Sequence, residues 1–240
     1  MKIAAWNLNH RVGKTRYLPE AASAIGSLTV DVLVLTEYFP RVHDKQFASD
    51  LMDHGFSSLV ASKETDEDAN RVLIAAKERF EIDSLALPTF DQQFPANVLA
   101  VRFPSTNIRL LGVRVPYYID KELPRVQDAW AWLETAAETL KEDKAIIVGD
   151  LNASVTSSSS RGGDHFRRIM ESGWVRAQPA NGSSFFGKDG VNTEIDHALC
   201  TATLRLVSVR YETKTVNEVF VGGDKALSDH AVLMVEVLPD

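Results

Sequence analysis

The sequence predicts an α/β protein in which two packed β-sheets carry helices on their outer faces. Three observations lead there. Apolar runs of strand length recur along nearly the whole chain, and helical periodicity is confined to a few stretches. The two also fail to alternate strictly, as a doubly wound parallel sheet would require.

In chain order, "KIAAWNL" (2–8) is a strand, and "RYLPEAASAIGSL" (16–28) spaces its apolar residues at three and four, as a helix does. "DVLVLTEY" (31–38) is an apolar strand that ends on an acid, and "KQFASDLMDHG" (45–55) is a helix closed by a glycine stop. "FSSLVAS" (56–62), "RVLIAAK" (71–77), "FEIDSLAL" (80–87), "NVLAVRF" (97–103) and "IRLLGVRV" (108–115) are strands on mostly short connections. "LPRVQDAWAWLETAAETLKED" (123–143) is the strongest helix, with Pro124 near its first turn and Ala, Leu and Glu through its body. "AIIVGD" (145–150) is a strand, and "DHFRRIMESGW" (164–174) is a helix with its own glycine stop. "IDHALC" (195–200), "LRLVSVRYE" (204–212) and "AVLMVEV" (231–237) complete the strands. The stretch "NASVTSSSSRGGD" (152–164) cannot pack a core and reads as a mobile surface loop, while "KETDEDAN" (63–70) reads as an acidic hairpin tip. "TVDVLVLTEY" and "DKAIIVGDLN" each follow a helix, run apolar and end on an acid, which hints at two similar halves sharing one edge.

Composition sets the outer limits. A chain of 240 residues, 45% apolar and 25% charged, suits one large domain, 1–240. A net charge of −7 lowers the expectation of nonspecific phosphate binding, without excluding a local basic cleft. The single cysteine, Cys200, rules out an internal disulfide and thiolate zinc sites, and its apolar surroundings predict a buried thiol. No secretory leader and no run of apolar residues long enough to span a membrane is visible, so a cytoplasmic protein is expected.

Polar residues interrupt the ends of the apolar runs in a repeated form. Asn7 follows "KIAAW", Glu37 follows "DVLVLT", Asp150 and Asn152 close "AIIVG", Asp196 and His197 sit in "EIDHALC", and Asp229 and His230 precede "AVLMVEV". Buried polar groups are unfavourable unless paired. Alone, Glu37 would be an ordinary capping or salt-bridge acid, and an Asp beside a His an ordinary structural hydrogen bond. Several together at strand ends predict a shared site. Carboxylate and amide oxygens suit Mg²⁺ or Mn²⁺, and an Asp can orient a neighbouring imidazole. No Gly-x-Ser-x-Gly elbow or Walker loop is present, so water is the expected nucleophile.

"WN", "LTE", "VGDLN", "IDH" and "SDH", in that order from Trp6 to Val232, resemble the endonuclease/exonuclease/phosphatase superfamily. The resemblance implies a four-layer α/β sandwich, two packed mixed β-sheets flanked by helices. It also implies metal-dependent hydrolysis of phosphoesters by activated water. It makes Glu37 the principal ligand of Mg²⁺ (Mn²⁺ also suits), with Asn7 close by and Asp229 contributing. Asp150 would orient or deprotonate the water, or bind metal, and Asn152 would hold that water or a phosphate oxygen. His230 would bind the scissile phosphate, oriented by Asp196. The sequence departs from the pattern where Arg114 replaces a His or Tyr; an Arg there could grip a phosphate bidentately but cannot act as an acid. Glu194 stands where an Arg is common, and His197, replacing an aromatic, reads as structural. Arg71 lies near a position of phosphate contacts in some family nucleases.

Nucleic acid is the expected substrate. Arg11, Lys14, Arg41, Arg114, Arg125 and Arg161 would surround the site, and Tyr38, Phe39, Tyr117, Tyr118 and Trp174 could stack on bases or sugars. A small-molecule or lipid phosphate is the alternative substrate, and a catalytically inactive binding module on the same fold is the alternative class. No membrane-binding hairpin and no obligate protein partner is evident.

Overall fold

The computed structural model describes the chain except for residues 11–17, 40–42, 66–68, 181, 223–224 and 240. The first half comprises β1 (Lys2–Asn7), α1 (Pro19–Gly26), β2 (Val32–Tyr38), α2 (Asp44–Asp53), β3 (Ser58–Ala61), β4 (Arg71–Ala76), β5 (Glu81–Ile82), β6 (Val98–Phe103) and β7 (Ile108–Arg114). The second comprises α3 (Leu123–Leu140), β8 (Ala145–Asp150), α4 (Gly163–Glu171), β9 (Val175–Arg176), β10 (Phe185–Phe186), β11 (Asn192–Thr193), β12 (Asp196–Cys200), β13 (Leu204–Glu212) and β14 (Val232–Pro239).

Two six-stranded mixed sheets form, ordered β13-β14-β1-β2-β4-β3 and β5-β6-β7-β8-β12-β9. Alternation along each central strand explains the layering, because successive side chains leave opposite faces. Val32 and Val34 of β2 and Ile146 and Val148 of β8 enter the core between the sheets. Leu33 and Leu35 instead pack with Ala21 and Ile25 of α1 and Phe47 and Leu51 of α2. Ala145 and Ile147 pack with Trp130 and Leu133 of α3 and Phe166 of α4. Both faces of each central strand are therefore buried, which is why these runs read as continuously apolar. The result is the predicted four-layer α/β sandwich.

The two halves use one device. β1 pairs parallel to β2 across α1, and β7 pairs parallel to β8 across α3. β2 carries Glu37 and β8 carries Asp150 at its carboxyl end, where open α/β sheets place ligands.

Two expectations from sequence change. "FEIDSLAL" keeps only Glu81–Ile82 as strand. Asp83 accepts a hydrogen bond from the Leu85 amide at 2.9 Å and pairs with Arg109 at 2.6 Å, and this local bonding replaces the ladder. The serine-rich segment is anchored rather than loose. Gln127 donates to the Ser159 carbonyl at 2.8 Å, Arg167 donates to Val155 at 2.6 Å, and Gly162 lies against the Trp130 indole. Gly149 is required by the backbone of the neighbouring strand. It has φ 145°, and a side chain there would lie 2.0 Å from the Val113 carbonyl of the adjacent strand. The short β9 and the β10–β11 hairpin carry no periodicity in the sequence, being two residues each. Cys200 is buried, as expected.

Gly149→Ala is expected to lower the unfolding free energy by about 2 kcal/mol or more, through backbone strain and the carbonyl clash. Urea unfolding followed by tryptophan fluorescence measures it; an unchanged midpoint would contradict the packing described.

Candidate active site

The rows that fill the inter-sheet core end in polar residues at one edge. Ile3 and Ala5 precede Asn7, Leu110 precedes Arg114, Val148 precedes Asp150, and Cys200 and Ala198 lead back to Asp196 on the same alternation. In the second sheet these residues share one rung, because Arg114 and Asp196 are the register partners of Asp150 on either side.

Asp150 is the centre of this edge, with only 1% of its surface exposed. Its Oδ2 accepts from Asn7 Nδ2 at 2.9 Å and from Asn152 Nδ2 at 3.1 Å, and its Oδ1 accepts from the Asn152 amide at 3.0 Å. Burial, joined by the nearby Asp196 and Glu37 carboxyls, pushes its pKa up to about 7 against the pull of His230 and Arg114. Asn152 adopts φ 48°, which an Asn tolerates, and its amide also donates to the Val115 carbonyl at 2.7 Å. Both hydrogens of that amide are thus used within the protein, so Asn152 secures Asp150 and can meet a ligand through its Oδ1.

Glu37 reaches the edge by an irregularity. Alternation would send it with Leu33 and Leu35 towards the helices. A register shift between Leu35 and Tyr38 and a φ of 51° at Glu37 break that alternation. Arg114 donates through Nε at 3.1 Å and Nη2 at 2.8 Å to Glu37 Oε1, and His10 Nε2 lies 3.0 Å from Oε2. Burial alone would raise the Glu37 pKa, but Arg114, His10 and the Asn7 side chain outweigh it and hold the carboxyl below its ordinary value. The bidentate grip expected of Arg114 on a phosphate is spent on Glu37, with Nη1 on Asn97 at 3.4 Å.

His230 lies at the entry to β14. Its Nδ1 is 2.7 Å from Asp196 Oδ2, and its Nε2 is 3.9 Å from Asp229. Trp6 donates to its carbonyl at 2.9 Å, and Phe185 meets its ring edge to face at 5.1 Å. Burial opposes charge on the imidazole, but Asp196, Asp150 and Asp229 prevail and raise its pKa to about 9. The Ser184 hydroxyl accepts from the amides of Ile195 and Asp196 at 2.9 Å each, and Tyr211 donates to the Asp196 carbonyl at 2.8 Å.

The structure therefore brings together Asn7, Glu37, Arg114, Asp150, Asn152, Asp196, Asp229 and His230. Sequence reasoning missed His10, Ser184 and Tyr211. The "NLNH" turn carried a weak signal for the first, since Asn7 Oδ1 accepts from the Asn9 amide at 2.9 Å and Asn9 and His10 both have positive φ. His197 is structural, as expected: burial drops its pKa to about 4, and its Nε2 faces the Ala153 and Glu194 carbonyls.

Several expected contacts fall away. Tyr38, Phe39 and Trp174 are buried and cannot stack on a ligand. Arg71 is tied to the Ser62 carbonyl and Arg125 to Asp91. Arg11, Lys14 and Arg41 lie outside the described residues.

The fit to a divalent cation rests on donor chemistry. Glu37 is held below its ordinary pKa and takes a hydrogen bond from the Asn7 side chain, so a carboxylate and an amide, both hard-oxygen groups, meet here. Among the described residues no three His, Cys, Asp or Glu side chains form a ready cage.

An α/β sandwich with acids, amides and a charged imidazole on one strand edge has the architecture of a phosphoester hydrolase. The sequence matches the Endonuclease/Exonuclease/phosphatase family over residues 4–230, and the chain belongs to that family. Its members are hydrolytic phosphoesterases, generally dependent on divalent metal. Solved structures share the fold. A 3'-5' exonuclease (NExo) from Neisseria Meningitidis is 22% identical, with TM-score 0.74 over 98% of this chain and 99% of that one. An AP endonuclease from Archaeoglobus fulgidus is 18% identical, with TM-score 0.73 over 100% and 99%. Truncated Caenorhabditis elegans TDP2 is 14% identical, with TM-score 0.72 over 98% and 96%. No curated protein matches the sequence. Among the described residues, no helix is long and apolar enough to cross a membrane.

His230 is expected to titrate near pH 9 in an NMR experiment, and Asp196→Asn to bring that midpoint down towards the ordinary histidine value of 6.5. Because the folded value is raised, the stability from this pair is full below about pH 6.5 and is lost as pH rises through about 9. A midpoint at 6.5 in the parent protein would remove the ion pair.

Proposed function

We propose that the protein cleaves phosphodiester bonds of nucleic acid, DNA or RNA, by activated water with Mg²⁺ or Mn²⁺. The carrying observation is the pairing of a buried Asp150, held by two amides and poised near neutrality, with a charged His230 braced by Asp196.

Glu37 and Asn7 would hold the cation, with Asp229 contributing. When bound, the cation supplies Lewis acidity and positive charge at the scissile phosphate. Asp150 takes the proton of the attacking water, and its value of about 7 makes it a base matched to neutral pH. Asn7 and Asn152 keep that carboxylate in one orientation. His230, with Nδ1 engaged by Asp196, presents its Nε2–H to a phosphate oxygen and stabilises the charge that grows in the transition state. Asp196 is a positioning residue, since it acts through His230.

A second reading, hydrolysis of a small-molecule or lipid phosphate, is favoured by one observation. The cations expected to grip a polynucleotide, Arg71, Arg114 and Arg125, are engaged inside the protein.

Incubation with plasmid DNA and with RNA, in Mg²⁺ or EDTA, decides between them. Cleavage that needs metal and falls at least about 100-fold in His230→Ala supports the nuclease. Turnover of bis-p-nitrophenyl phosphate without nucleic-acid cleavage supports the small substrate. Absence of all turnover together with absence of Mg²⁺ binding would leave an inactive binding module. The rate should follow a bell, rising as Asp150 ionises near pH 7 and falling as His230 loses its proton near pH 9. A flat profile from pH 5 to 9 would remove both residues from these roles.

A further inference from the structure

A cavity of about 300 Å³ opens beside Arg114, on the side of the site away from His230, and no residue of the mechanism above except Arg114 lines it. Its walls are chemically uniform. Asn70, Gln93 and Asn97 contribute side-chain amides, and Tyr117 and Tyr118 contribute aromatic rings.

The amides are not all used internally. Asn97 is buried, and its oxygen accepts from Arg114 at 3.4 Å, while its NH₂ has no protein acceptor among the described residues. Asn70 makes no side-chain hydrogen bond among the described residues and stands in the same wall. Each amide offers a donor and an acceptor a short distance apart, the pattern needed to read the edge of a planar heterocycle.

The rings are held firmly. The Arg161 guanidinium lies 4.3 Å from the Tyr117 ring centroid, and Arg125 lies 4.2 Å from that of Tyr118. Tyr117 nevertheless remains 60% exposed, so a guanidinium occupies one face and leaves area for a second planar group. Arg161 also donates to the Tyr118 carbonyl, which fastens the serine-rich loop to this wall.

We propose that this cavity takes one unpaired nucleobase of the substrate, stacked on Tyr117 and read by the amides of Asn70 and Asn97, next to the phosphate that is hydrolysed. The volume suits a single nucleotide unit and not a base pair, so the preferred substrate is a single strand or an unpaired end. The inference rests on the nuclease reading for the identity of the adjoining phosphate, and it adds the substrate class.

The test compares a short single-stranded oligonucleotide with the same strand carrying tetrahydrofuran abasic units in place of its nucleotides. Binding is measured by fluorescence anisotropy in Ca²⁺ or EDTA, so that it does not depend on turnover. The base-bearing strand is expected to bind about ten-fold tighter, and Tyr117→Ala or Asn70→Ala is expected to erase most of that ratio. Tyr117→Phe, which keeps the ring, is expected to retain it. Equal binding of the two strands, binding of neither, or an unchanged ratio in both alanine variants would overturn the cavity assignment. Bis-p-nitrophenyl phosphate turnover alongside equal binding would leave the hydrolase standing and remove the base site. A base preference without hydrolysis of any phosphodiester would leave the base site and remove the nuclease.

Discussion

The constraint on which this molecule turns is a carboxylate at the end of an apolar core. The strand that carries Ile146 and Val148 between the sheets delivers Asp150 on the same alternation, and the side chain is almost wholly buried. A group so placed either stays protonated or gathers partners. Asp150 has both amides and charges around it, and each comes from a different element: Asn7 from β1, Asn152 from the strand exit, Arg114 from β7, and His230 from the start of β14. The amides fix its direction without neutralising it. The neighbouring Asp196 raises its proton affinity and is itself answered by His230. Two neighbouring groups with separated titration ranges thus arise from one burial problem.

Much of this was legible in the sequence, because the rules that made it are short-range. Continuous apolar runs gave the two-sheet architecture, and polar residues at their ends gave Asn7, Asp150, Asp196 and His230. What escaped depends on contacts between the sheets. The bulge that turns Glu37 into the site leaves no mark in "VLTEY", and Arg114 reads as a ligand for phosphate until the other sheet is seen to place Glu37 against it. Gly149 leaves no sign in the sequence of the neighbour it accommodates, a carbonyl on the adjacent strand. Serine-rich composition suggested a loose loop, but Gln127, Trp130 and Arg167 from elsewhere hold it. The burial of Tyr38 against α1 and α2 and of Trp174 against α3 is tertiary packing, which composition does not report.

Positive and negative charge are distributed in a consistent manner around the edge. On the Glu37 side a carboxylate is kept ionised chiefly by Arg114, with His10 and Asn7 beside it, whereas on the Asp196 side an imidazole is kept ionised by carboxylates. Asp150 stands between the two and is the one member whose proton is loosely assigned at neutral pH. Electrostatic preorganisation of this kind needs little reorganisation when charge moves in a reaction, since the compensating groups are already fixed by strand register.

The order of strands in the first sheet has a consequence for the timing of synthesis. β1 lies between β2 and β14, and the Trp6 indole bonds the His230 carbonyl across 224 positions of sequence. During synthesis β1 therefore has one side unpaired until β14 has emerged. The edge that joins Asn7, Asp150 and His230 assembles only when that last partner docks. A fragment that stops short of β14 holds most of the acids and amides but lacks His230, so the constellation needs strands from both ends of the first sheet's sequence.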